Sequence, residues 1–185
     1  MATAVKSARR PPRFRPDNGG RAKETDEVDR IVEAWITQRP DLDFSPLEVL
    51  SRVDRLSRHL DRARRDAFRR SELEPWEWDV LSALRRAGEP FQLSPKQLLL
   101  QTLVSSGTMT NRIDRLVGRR LVRRESDPDD GRSILVTLTD DGRTRVDAAI
   151  TRLVDAEALL LGALSRADRE RLAGLLRKLS LSFDI

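Results

Sequence analysis

The stretch LLLQTLVSSGTMTNRIDRLVGRRLVRRESDPDDGRSILVTL, residues 98–138, decides how the rest of the chain is read. It opens as a short helix, turns at 102–105 and continues as a second helix toward Gly118. Ser105 suits the N-cap of that second helix, because its hydroxyl can accept from the unpaired N–H groups of the first turn, and Gly118 suits its end. At about 100° per residue, Met109, Ile113, Leu116 and Val117 share one face, while Thr108, Asn111, Arg115 and Arg119 share another. The first face packs. The second offers short polar groups for base edges and guanidinium groups for phosphate. An amphipathic helix with a merely solvated basic face has the same pattern, so its neighbours have to decide.

They favour DNA. After Gly118 come Leu121-Val122-Arg123-Arg124-Glu125, a loop built from Pro128, Asp129, Asp130 and Gly131, and a strand in which Ile134, Val136 and Leu138 alternate. Helix-turn-helix followed by a hairpin is a winged helix. The residues expected to contact DNA are Ser106, Gly107, Thr108, Thr110, Asn111, Arg115 and Arg119 on the reading helix. Arg132 at the wing tip is expected in the minor groove, whose negative potential attracts it.

Composition agrees with a helical, salt-laced protein: 35% of the residues are charged, 4% are aromatic, and there is no Tyr. The absence of Cys excludes disulfides, zinc–thiolate sites and thiol-based oxidant sensing. No apolar run is long enough for a signal peptide or a membrane span, so the expected location is cytoplasmic and no membrane partner is expected. The net charge of +5 is uneven, because the first 23 residues hold seven basic side chains against Asp17 alone. This tail carries more than the whole net charge; Pro11, Pro12 and Pro16 mark it as a disordered basic arm.

The expected divisions are the arm at 1–23, N-terminal helices at 24–70, a winged helix-turn-helix domain at 71–142 and C-terminal helices at 143–185. Thr25 is the expected cap of a first helix ending before Pro40, with Val28, Ile31, Val32 and Trp35 on one stripe. Ser45-Pro46 opens a long helix to about Arg70. Its His59 has neither Cys nor a second His nearby, so no metal or other cofactor is expected. Pro75 starts a helix whose apolar face is Trp76, Val80, Ala83, Leu84 and Ala87. Asp79 sits at the margin of that face, where a carboxylate needs a cation. Thr139 and Ser165 cap two last helices, rich in Leu and more apolar than a lone winged helix needs, which predicts partner helices, although packing within the chain would also use them. The fold class is mainly α with a small β-hairpin (α+β).

From about Val28 to Phe183 the sequence resembles the MarR family of bacterial transcriptional regulators. Asp127, Asp130 and Arg132 match the family's wing signature, with Asp129 where many members carry a basic residue. Leu138-Thr139-Asp140-Asp141-Gly142 is similar to its strand-to-helix junction. The resemblance implies a homodimer with intertwined terminal helices, binding a pseudo-palindrome in double-stranded DNA. Trp35, Trp78-Asp79, Asn111-Arg112 and Arg124 together resemble the urate-responsive subgroup. That narrower resemblance implies a small anionic aromatic effector, urate first, with Trp35, Asp79, Arg112 and Arg124 as ligand-binding and switch residues. The helical wheel agrees in one respect, since Arg112 lies about 60° from Met109, beside the core.

Other classes fit less well. A ligand-independent architectural DNA binder would use the same winged helix and tail, with steeper salt dependence and little sequence preference. An enzyme is not expected, since Ser105-Ser106-Gly107 has no His base nearby and there is no phosphate-cradling glycine loop.

Overall fold

The computed structural model describes residues 25–102, 104–128 and 133–183. They form two compact units that meet in the sequence at Arg52 and Val53. The first contains α1 (Glu27–Gln38) and the start of α2 (Ser45–Arg69). Asp26, rather than the expected Thr25, caps α1, in a reciprocal box with Asp29. A carboxylate accepts more strongly than a hydroxyl, and Arg52 fixes both carboxylates, with Nε 2.8 Å from Asp26 and Nη2 2.7 Å from Asp29. The guanidinium holds the pKa of Asp26 below the ordinary value, and the Asp26 backbone N–H, with Arg52 behind it, does the same for Asp29.

The second unit is a winged helix with two further helices. After α2 come α3 (Pro75–Arg86), β1 (Gln92–Leu93), α4 (Pro95–Thr102), α5 (Ser106–Gly118), β2 (Val122–Ser126), β3 (Ile134–Leu138), α6 (Asp140–Leu160) and α7 (Arg166–Ser180). The three strands form one antiparallel sheet, with β3 between β1 and β2, so β1 is an edge strand beside the hairpin. Leu93 lies opposite Val136, and Arg124 lies opposite Val136 from the other side.

One core serves this unit. Val80, Leu81, Ala83 and Leu84 of α3 pack with Leu98, Met109, Ile113, Leu116, Leu121, Val136 and Leu138, and Phe68 of α2 stacks on Trp78 at 4.9 Å. Val146, Ala149 and Leu153 of α6 belong to the same cluster, so the expected division at 142/143 does not separate a packing unit. The boundary between the two units falls inside α2.

Smaller departures have local causes. Val117 is exposed, because Met109, Ile113 and Leu116 already cover the width of the packed face. Alternation fails on β3 at Ile134, which is exposed at the strand's start, and at Thr137, whose buried hydroxyl is satisfied by donating to Glu125 across the hairpin at 2.9 Å. Ala87 is exposed and fully buried Leu81 takes its place in the core, which widens the apolar face of α3. No described helix is long and apolar enough to cross a membrane.

Candidate nucleic-acid interface and switch site

The reading helix is built from its cap. Ser105 Oγ accepts from Thr108 N at 3.4 Å and lies 2.9 Å from the Thr108 hydroxyl, while Thr110 Oγ1 donates back to Ser106 O. These bonds set the first turn, and the buried stripe of Met109, Ile113 and Leu116 fixes its rotation. Ser106, Gly107, Thr108, Thr110, Asn111 and Arg115 are consequently all exposed on the outer side. The exposed amides of a helix N-terminus also favour phosphate.

Arg119 is placed differently from its expected partners. Its Nη1 pairs with Glu77 Oε2 and its Nη2 donates to the Glu72 carbonyl at 2.8 Å. Glu77 is 1% exposed and also accepts from Glu74 N at 2.9 Å, closing the N-terminus of α3. Arg119 therefore ties α5 to α3. The sequence signal for Glu77 was its spacing three residues after the cap residue Glu74, a capping-box position.

Arg112 lies between the reading face and the core, with a side chain 19% exposed. Its Nη1 is buried without a hydrogen-bond partner and sits 3.8 Å from Asp79 Oδ2. That separation gives Coulomb attraction without a good hydrogen bond. Asp79 is half-exposed, yet burial pushes its pKa above the ordinary carboxylate value, against the opposing pull of Arg112 and Arg86. The cation sought for Asp79 is thus Arg112. Arg124 is elsewhere, with Nη2 2.6 Å from Asp114 Oδ1 on the outer side of α5.

Trp76, assigned by sequence to the core stripe, is half-buried and has two guanidinium groups against its ring: Arg115 at 4.5 Å and Arg112 at 5.9 Å from the centroid. Trp76 borders an open hollow of about 440 Å³ shared with Gly107, Thr108, Asn111, Arg112 and Arg115. Trp35 belongs to the first unit, where it is 50% exposed and stacks on Phe44 at 6.1 Å. Arg132, with the wing-tip residues 129–131 and the basic arm, lies outside the described residues. Among the described residues no group of three His, Asp or Glu side chains could hold a metal ion.

The MarR family profile matches residues 71–133. The HTH-type transcriptional regulator PecS of Dickeya dadantii is 35% identical over 150 residues, covering 81% of this chain and 90% of that protein. The HTH-type transcriptional repressor NicR of Pseudomonas putida is 30% identical over 142 residues, covering 75% and 88%. Among solved structures, BpsR of Bordetella bronchiseptica is 31% identical with a TM-score of 0.54, covering 69% of this chain and 92% of its own. Its structure is described as explaining regulation of DNA binding by 6-hydroxynicotinic acid.

Proposed function

Since the chain belongs to the MarR family of transcriptional regulators, we propose that it binds a pseudo-palindromic operator as a homodimer, represses transcription there, and releases DNA when a small anionic aromatic ligand such as urate binds. One observation carries the ligand reading: Arg112 holds a buried guanidinium nitrogen with no acceptor, on the helix that presents Asn111 and Arg115 outward. A buried cationic donor gains an acceptor when an anion's oxygen arrives, which is worth more than the same bond in water. The anion also replaces Asp79 as the neighbour of Arg112, and two like charges there oppose each other. Asp79 then needs another cation. Arg124 can serve only by leaving Asp114, so ligand binding is an exchange between two ion pairs, both anchored on α5. Such a ligand weakens DNA binding tenfold for each ~1.4 kcal/mol by which it prefers the released state. The regulation of BpsR's DNA binding by 6-hydroxynicotinic acid, itself an aromatic acid, is in keeping with this.

Asp79→Asn tests the switch. The variant is expected to bind operator DNA but to lose ligand-induced release in a gel-shift titration with urate and a panel of aromatic acids; release at wild-type ligand concentrations would sink the exchange. Folding should survive. Because the folded state holds the Asp79 proton more tightly than the unfolded state, the stability this supplies is present in acid and is lost as pH rises from the ordinary carboxylate range through the folded pKa. Asp79→Asn removes that dependence, so its melting temperature relative to wild type should be higher at neutral pH and converge with it in acid.

The homodimer rests on α7. Leu172, Leu175, Leu176 and Leu179 share one helical face, and no residue of α7 is buried within the chain. Introducing charge there, as Leu175→Glu with Leu176→Glu, is expected to give monomers in sedimentation velocity and to reduce operator affinity by at least about tenfold, as half-site binding loses its tethered partner. Retention of the wild-type mass would remove α7 from the interface.

A further inference from the structure

Two arginines one helical turn apart on α5 are held by two consecutive residues of α3. Glu77 draws Arg119 inward, and Trp76 faces Arg115. Arg115 makes no ion pair or hydrogen bond through its side chain among the described residues, so the indole ring is what orders it. We propose that Trp76 is a positioning residue for DNA reading, its indole serving as the platform that orients the Arg115 guanidinium toward a base edge. The inference rests on Arg115 being a base reader, as in the function proposed above.

The platform is itself fixed. Pro75 at the first position of α3 sets the backbone entering Trp76, and one side of the indole packs on the core while the other stays open to the hollow beside Asn111 and Thr108. A guanidinium stacked on an aromatic face keeps its charge and its planar fork free at the outer edge. Without that surface a long, exposed side chain samples many rotamers and loses them on binding DNA. Bidentate recognition of a base depends on fork orientation, whereas attraction to phosphate depends only on charge. The ring should therefore govern sequence preference much more than general affinity. The second guanidinium on the same ring, that of Arg112, is aimed back toward Asp79, which leaves the outward position to Arg115.

A double-mutant cycle tests this, using an operator selected by the wild-type protein from a randomised library and a random duplex of equal length. Trp76→Leu keeps an apolar cover but no π face; it is expected to lose about three- to tenfold of the operator-over-random preference. Trp76→Phe, which keeps a ring, should stay within about twofold of wild type. The salt dependence of Trp76→Leu should match wild type, because Arg115 keeps its charge. In an Arg115→Ala background, Trp76→Leu should cause no further loss. If Arg115→Ala loses the preference and Trp76→Leu keeps it, or if the two losses simply add, the platform is wrong. If Arg115→Ala leaves the preference intact, Arg115 reads no base, and the platform falls with that reading. Should Trp76→Leu fail to fold, NMR of the wild type decides: an upfield ring-current shift of the Arg115 Cδ and Nε protons supports the stack, and unshifted resonances overturn it.

Discussion

Gly142→Ala is expected to lower the melting temperature by roughly 5–10 °C, the change that a net loss of about 2–3 kcal/mol produces in a protein of this size. An alanine in a helix is ordinarily a gain, about 1 kcal/mol over glycine. Here it would be overwhelmed. A Cβ built on Gly142 would lie 2.1 Å from the Leu121 carbonyl oxygen and 2.9 Å from Leu138 Cδ1. The closer of these contacts is backbone, which cannot step aside as a side-chain end can. The first turn of α6 would have to lift off the start of β2, an overpacking penalty of about 3 kcal/mol or more. The same carbonyl accepts from Thr139 N at 3.1 Å and from Thr139 Oγ1 at 3.0 Å, and Thr139 Oγ1 in turn accepts from Gly142 N at 3.0 Å. Displacing α6 therefore breaks its cap as well. Differential scanning calorimetry would measure the outcome; an unchanged or higher melting temperature would mean that the junction relaxes far more easily than its contacts allow.

Arg119→Ala is expected to destabilise the protein by about 2–3 kcal/mol, below the ~3–5 kcal/mol typical of a broken buried pair because the arginine side is partly wet. The Glu77 carboxylate would keep its bond from Glu74 N but lose its cation in a position 1% exposed. Glu77→Gln in the same background should recover at least half of the loss in urea denaturation, since the amide oxygen can still accept from Glu74 N. If the double variant were no more stable than Arg119→Ala, the loss would lie in packing of the arginine stem and not in the stranded charge.

These two sites also show where sequence reading succeeded and where it stopped. Local chemistry was legible. Ser105, Thr139 and Ser165 all cap the helices expected of them, and each does so through a bond to the residue three positions on, a relation contained in a few consecutive residues. The buried stripe Met109, Ile113, Leu116 followed from period alone. What failed depended on partners far along the chain. Arg119 belongs by angle to the exposed face of α5, but a long side chain can swing about its stem, and Glu77, 42 residues earlier, decides where it goes. Nothing in the local sequence marks Asp114, on α5, as the partner of Arg124 on β2. Trp76 counted as core because an indole is apolar; its second side, facing two guanidinium groups, could not be inferred from composition. The need of Asp79 for a cation was legible from its position, and the choice of Arg112 followed only from the packing of α3 against α5.

The strand-to-helix junction has a mechanical side. Leu121, Thr139 and Gly142 join the end of the reading helix to the root of α6 through backbone atoms, so the two helices turn together like a short spoke and a long one on one hub. The 21 residues of α6 span about 30 Å. A rotation of roughly 5° at the hub displaces the far end by close to 3 Å, on the order of the spacing between two neighbouring residues of a strand. Near that far end Glu157 pairs with Arg64 of α2 at 2.9 Å. By leverage alone, a tilt of α5 carried through this junction would be largest where α6 meets α2.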